Sequence, residues 1–304
     1  MTVLLRRADI AMHKAKRGRD GHRVYTGADD RAGDGRLRTL QELRTALTDG
    51  QLLLHYQPKV DLASGRVRSV EALVRWEHPT RGLLYPDSFL SLIEDAGLMR
   101  PLTQTVLCQA LDQAALWQAQ GRPLTVAVNL SASSLVDTDL PEQMSAMLAD
   151  RRLPASALQL EITEEFLMAD RDRARDILQR LRQLGIQIAV DDFGTGYSSL
   201  AYLRELPIDE LKLDRSFVFP MAHDARAAAL VISTIGLAHS LGLRMVAEGV
   251  EDAVALSELT RHGCDQAQGY HLSRPVPAAD LDAWLDQRGA SSPQAAAPLV
   301  DLVP

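Results

Sequence analysis

Carboxylates, carboxamides and an ammonium recur at the ends of short apolar runs: Glu71, Asn129, Glu161, Asp191 with Asp192, Lys212 with Asp214, Glu248 and Gln268. Oxygen donors of this kind suit hard divalent cations such as Mg²⁺ or Mn²⁺, whereas zinc favours His or Cys. The eight histidines form no HExxH or comparable spacing. Several acids gathered in one mouth repel unless cations neutralise them, and two divalent ions about 3.5–4 Å apart make a hydrolytic clamp on a phosphodiester. Asp191 and Asp192 stand side by side in "AVDDFGTGYSSL", residues 189–200. A regular strand sends neighbouring side chains to opposite faces, so both acids serve one site only if the strand ends there. Gly194 and Gly196 permit such a sharp exit. The tripeptide DFG also occurs in protein kinases, but no glycine-rich loop, Val-Ala-Ile-Lys strand or His-Arg-Asp loop accompanies it, which excludes that reading.

The elements that must position these residues are short and β-rich from Leu52 onward. "LLLHYQPKVDLASGRVRSVEALVRW" reads as two strands joined at a Ser-Gly turn. "LTVAVNL", "LQLEI", "IQIAVD", "IDELKLD", "LRMVAEG" and "CDQAQGY" follow, mostly continuous rather than alternating, as strands buried on both faces are. Helices are expected near 138–150, 170–184, 222–241 and 252–262, with shorter ones near 87–96 and 198–205. The class is α/β, a modified (β/α)₈ TIM-like barrel of eight strands with an irregular, antiparallel start. Catalytic groups of such a barrel sit at the C-terminal ends of its strands. Upstream, "LLRRADIAMHKAK" reads as a basic helix, the Gly- and Asp-rich residues 26–36 as a linker, and "LRTLQELRTALTDG" as a helix stopped by Gly50. Residues 289–304 read as a flexible tail. Trp76, Trp117, Met144 and Met147 read as packing.

The 304 residues, 46% of them hydrophobic, can bury a large core as one domain or two. A formal charge of −7 argues against a protein that coats nucleic acid, so no DNA or RNA polymer is expected as a partner. The charge is uneven. Residues 1–23 hold seven Arg or Lys against Asp9 and Asp20, a net of +5, which leaves −12 on the remainder. An acidic body that handles an anionic ligand needs cations. Cys108 and Cys264 make no disulfide framework and fit a reducing cytoplasm. Arg6, Arg7 and Asp9 break the early apolar stretch that a signal peptide needs. The expectation is a soluble, cytoplasmic chain.

From about Leu37 to Trp284 the chain resembles the EAL-domain phosphodiesterases, which hydrolyse cyclic di-GMP to linear pGpG. The motifs "YQPKV", "EALVRW", "VNLS", "EITEE", "DDFGTGYSSL", "LKLDRSF", "VAEGVE" and "QGY" stand in order. The resemblance implies two Mg²⁺ or Mn²⁺ ions per site. Glu71, Asn129, Glu161 and Asp191 would hold one, Asp191 would bridge to a second also held by Asp192, and Glu248 would support the cluster directly or through water. It further implies that Lys212 contacts the attacking water, as base or as electrostatic anchor. Gln57, Leu73, Arg75, Asn129, Asp214 and Gln268 would line the substrate, and Glu164 would hold the "DFGTGYSSL" loop. Residues 1–25 resemble the C-terminal remnant of a GGDEF domain, so the domain reading is 1–25 remnant, 26–36 linker, 37–288 barrel and 289–304 tail. The implied partners are cyclic di-GMP, a second copy paired through the barrel, and further GGDEF and sensor domains in a longer parent whose membrane anchoring is left open. A cyclic di-GMP receptor or scaffold without turnover is the alternative.

Overall fold

A computed structural model describes residues 12, 27–131, 134–135, 137–164, 171–196 and 200–290. The expected remnant at 1–25, apart from Met12, and the tail from 291 onward lie outside the described residues. The chain divides into two compact units, residues 1–52 with 76–98, and residues 53–75 with 99–304.

The second unit holds the barrel. The barrel strands are β1 (Leu52–Asp61) and β2 (Val67–His78), which belong to this unit from Leu53 on and up to Arg75, then β4 (Thr125–Asn129), β5 (Leu158–Thr163), β6 (Gln187–Phe193), β7 (Glu210–Leu213), β8 (Arg244–Ala247) and β9 (Gln266–Ala267). Their order is β1-β9-β8-β7-β6-β5-β4-β2, and a β1–β2 pairing closes the ring. The run from β2 through β9 is parallel. β1 lies antiparallel to β9, with Val60 opposite Ala267. All eight expected strands are present, and the antiparallel start is where the sequence puts it.

The strands are buried on both faces, as expected, and within them polar and apolar side chains take alternate faces. Register pairs Gln159 with Gln187, Glu161 with Ala189, Asn129 with Glu161, and Lys212 with Val246. Paired residues in a sheet share a face, so the polar set lies on one face and Leu158, Leu160, Ile162, Ile188, Val190 and Leu211 lie on the other, each 0% exposed. Small residues on the polar face, Ala127 and Ala189, make room for long side chains and blur the alternation in the sequence.

Helices α3 (Met99–Ala119), α5 (Arg171–Gln183) and α8 (Ala225–Ser240) pack on β4, β6 and β8. The sequence reading passed over α3, although Leu102, Val106, Ala110, Ala114 and Trp117 form its buried stripe at helical spacing. It also passed over α10 (Ala278–Ala290), fastened where Trp117 Nε1 donates to Asp282 Oδ1 at 2.8 Å. The remaining helices of this unit are α4 (Leu140–Asp150), α6 (Leu200–Leu203), α7 (Arg215–Val218) and α9 (Ala253–Arg261).

The first unit contains α1 (Gly27–Thr48), the short strand β3 (Gly82–Leu84), which pairs antiparallel with the end of β2, and α2 (Leu90–Asp95). Trp76 is fully buried there, edge-on to Phe89 and donating to Gln51 Oε1 at 3.1 Å. α1 begins at Gly27, so the stretch 26–36, expected as a linker, is helical over almost all its length.

Candidate active site

Every residue singled out for the site belongs to the second unit, and the barrel register explains why they meet. Glu71 on β2, Glu161 on β5, Asp191 on β6 and Lys212 on β7 share the inward face. Glu248 follows β8, its N–H donating to Leu213 O at 3.1 Å. The Lys212 ammonium is 1% exposed and sits among four carboxylates. It lies 2.7 Å from Glu161 Oε2, 2.7 Å from Glu248 Oε1, 3.0 Å from Asp191 Oδ1 and 3.5 Å from Glu71 Oε2.

Asp191 and Asp192 reach this site by an irregularity in β6. Register runs from Val190 opposite Leu211 to Phe193 opposite Leu213, so two residues of β6 face the single Lys212. That is a β-bulge, which leaves one residue extra and re-aims side chains. Asp192 takes a left-handed backbone with φ +53°, a region where Asp is among the tolerated non-glycine residues. The strand therefore runs on through Phe193, and the bulge, not an exit at Gly194, delivers the second acid.

Two carboxylate groups result. Glu71, Glu161 and Asp191 each bring an oxygen within 4.8 Å of the others, and so do Asp191, Asp192 and Glu248. Asp191 belongs to both. Electrostatics record the crowding. Burial pushes the Glu248 carboxyl up to about 8, with Asp191 and Glu71 adding repulsion that Lys212 only partly offsets. Burial and the nearby Glu161 also raise Glu71, and burial with Asp191 raises Asp192. Burial opposes ionisation of Glu161 too, yet Lys212 and Lys59 overcome it and hold that carboxyl at about 2. Burial likewise opposes charge on Lys212, but the surrounding acids keep it well above the ordinary lysine range. An all-oxygen donor set around repelling acids fits hard divalent ions, as the sequence suggested.

The other singled-out residues fall around this cluster. Asn129 Nδ2 donates to Glu71 Oε1 at 2.7 Å. Gln268 Nε2 donates to Glu71 Oε2 at 2.6 Å and to Gln57 Oε1 at 2.9 Å, and Gln57 Nε2 donates to Ser273 O at 3.0 Å. Arg75 is buried with Nη1 donating to Val74 O, and Leu73 is half-buried two residues before it on β2. Asp214 caps α7, its Oδ1 accepting from Ser216 N at 3.0 Å. Glu164 is 2% exposed and accepts from Gly194 N at 2.9 Å, while a Cβ on Gly196 would stand 2.7 Å from Glu164 Oε1. Residues 197–199 of the loop lie outside the described residues.

The sequence reading missed a lower layer of the same interior. Lys59 on β1, Gln159 on β5 and Glu210 on β7 are all buried and joined. Their signal was the two-residue spacing Gln57–Lys59, Gln159–Glu161 and Glu210–Lys212, the mark of one strand face.

Comparison with known proteins agrees with this geometry. The bifunctional diguanylate cyclase/cyclic di-GMP phosphodiesterase MucR of Pseudomonas aeruginosa is 44% identical over 280 residues, covering 91% of this chain and 41% of the relative. The cyclic di-GMP phosphodiesterase NbdA of the same organism is 44% identical over 284 residues, 93% of this chain and 36% of the relative. The chain thus spans about two fifths or less of the length of these relatives. The solved structure of the MucR phosphodiesterase in complex with cyclic di-GMP superposes with a TM-score of 0.77 at 45% identity, covering 80% of this chain and 99% of that one. The family model described as the EAL domain matches residues 40–275, and the chain belongs to that family.

Proposed function

We propose that this chain is a metal-dependent phosphodiesterase that hydrolyses cyclic di-GMP to linear pGpG in bacterial second-messenger signalling. The observation that carries the reading is Asp191, itself buried and shared by two oxygen-donor groups inside a barrel like that of the MucR phosphodiesterase. Glu71, Asn129, Glu161 and Asp191 would hold one Mg²⁺ or Mn²⁺, Asp191 and Asp192 a second, with Glu248 supporting the pair. Asn129 gives its Nδ2 to Glu71, which would leave its amide oxygen to ligate. Such ions would supply a water of lowered pKa and neutralise charge growing on the phosphoryl oxygens.

The chain's own groups do the rest. Lys212, kept charged by four carboxylates, favours a role as donor and anchor to the attacking water over one as base. Arg75 and Asn129, with Gln57, Leu73, Asp214 and Gln268, would orient the dinucleotide. The Gln268–Gln57–Ser273 chain of hydrogen bonds supports a positioning part for both glutamines. Glu164, bonded to Gly194, would hold the loop that carries the two acids.

Around this core we place a GGDEF remnant at 1–25, a connector at 26–36 that is helical from Gly27 on, the barrel at 37–288 and a tail at 289–304 whose first two residues close α10. The free Cys108 and Cys264 suit a cytoplasmic setting, and among the described residues no helix is long and apolar enough to cross a membrane. Pairing of two barrels and further N-terminal domains in a longer parent complete the proposal.

The test is turnover. The purified chain with Mg²⁺ or Mn²⁺ should convert cyclic di-GMP to pGpG, resolved by liquid chromatography and mass spectrometry, and Asp191→Asn should abolish it by weakening both metal positions. A metal-loaded protein that binds the dinucleotide without cleaving it would replace this reading with the receptor alternative.

A further inference from the structure

Beneath the carboxylate cluster lies a cation that the proposed chemistry does not use. Lys59 is 0% exposed, so it touches neither solvent nor substrate. Its ammonium donates to Glu161 Oε1 at 2.6 Å, Gln159 Oε1 at 2.8 Å and Glu210 Oε1 at 3.1 Å. Three protons meet three acceptors, the full capacity of an ammonium. The acceptors are themselves fixed: Gln159 Nε2 donates to Glu210 Oε1 at 3.0 Å, and Arg244 Nη2 lies 3.3 Å from Glu210 Oε2. Glu161 is thereby divided. Its Oε1 faces Lys59 and its Oε2 faces Lys212.

We propose that Lys59 is a positioning residue that ties down Glu161 Oε1, so that Glu161 offers a divalent cation one oxygen, Oε2, in a fixed orientation. The inference rests on the metal-site reading above. Outer partners that orient a ligand are worth about 10- to 100-fold in metal affinity. A role in charge balance alone gives the opposite sign. Lys59 is a cation close to where a dication would bind, so its removal would then tighten metal binding through lost repulsion. The direction of the change separates the two.

Lys59→Met together with Glu210→Gln removes one positive and one negative charge, which leaves the net charge of the lower layer unaltered while deleting the tether. Mn²⁺ binding, followed by electron paramagnetic resonance and calorimetry on protein shown to be folded by circular dichroism, should weaken about 10- to 100-fold in this double variant. Glu210→Gln alone, which keeps Lys59 on Glu161, should lose far less. A folded double variant that binds Mn²⁺ as tightly as the parent, or more tightly, overturns the inference. Should the double variant fail to fold, a crystal structure of the unmodified chain with Mn²⁺ decides. Coordination through Oε2 alone with Oε1 still on Lys59 supports the tether, and coordination through both oxygens refutes it. An unmodified chain that binds no Mn²⁺ at all would sink the metal-site reading itself, a separate outcome.

Discussion

Lys212→Met is the most informative perturbation of the site, because methionine keeps much of the volume and removes only the charge. In the structure one ammonium serves Glu71, Glu161, Asp191 and Glu248, at 2.7–3.5 Å. After the substitution Glu161 retains Lys59, while the other three acids lose their nearest cation. Removing one partner of a buried ion pair costs about 3–5 kcal/mol. The lower end applies here, since Glu248 is pushed up to about 8 and can take a proton at neutral pH instead of remaining unpaired. A loss of about 3 kcal/mol in a domain of this size lowers the melting temperature by about 6–12 °C. That shift should be seen in thermal melts with chelator present. With Mn²⁺ at about 1,000 times the parent's Kd, binding contributes about 4 kcal/mol to the parent, and at that same concentration the variant should gain more because no ammonium competes. The gap should therefore narrow, while turnover stays lost. Equal melting of variant and parent in chelator would refute the reasoning. A deficit unchanged by Mn²⁺ would reduce Lys212 to packing.

Glu248 makes metal binding pH-dependent. Its carboxyl is protonated below about 8 in chelated protein, so a cation must displace a proton, and the Mn²⁺ affinity should rise with pH until about 8 and then level off. Calorimetry in buffers of different ionisation enthalpy would count the protons released. The same raised carboxyl contributes stability that is present below its ordinary value of 4.5 and lost as pH climbs through about 8, at most about 1.4 kcal/mol per pH unit. Glu161, held at about 2, has the opposite sign: its contribution is present above 4.5 and lost as pH falls towards 2. Melts from pH 5 to 8.5 in chelator should fall and should flatten with Mn²⁺. At Gly269 a Cβ would stand 2.2 Å from both the N and the O of Val250, whose N–H donates to Gln268 O. Gly269→Ala should cost about 1–3 kcal/mol or more through forced backbone movement, and an unchanged melting curve would contradict the packing described.

What the sequence disclosed followed from how each signal is written. Strand ends were legible because a polar residue closing an apolar run is a local feature, as at Glu161 in "LQLEI" or Lys212 in "IDELKLD". The lower layer was not, because Ala127, Ala189 and Val246 occupy inward positions between polar ones and make the strands read as continuous. Lys59 carried a further disguise: nothing local separates a buried lysine from a solvated one, and its partners lie 100 to 151 residues away. α3 was legible by spacing and was overlooked, whereas the helical state of 27–36 ran against composition, since glycine and aspartate disfavour a helix interior.

The paired acids show how a local rule fails where chemistry is needed. A strand of period two can give a face only every second residue, so Asp191 and Asp192 could not both join the site from a regular β6. Ending the strand early would have satisfied that rule but would have cost the ladder beyond Val190. The bulge keeps it: Phe193 regains its place opposite Leu213, and the extra residue is absorbed by one left-handed turn at Asp192. Such a conformation costs of order 1–3 kcal/mol, and Asp is among the residues that bear it best. The position of the bulge is set by what lies across from it. Two acids of β6 stand opposite the one residue, Lys212, whose ammonium can answer their charge, and Asp191 so becomes common to both carboxylate groups. Backbone irregularity and charge balance are thus one feature of the fold, and neither would be tolerated without the other.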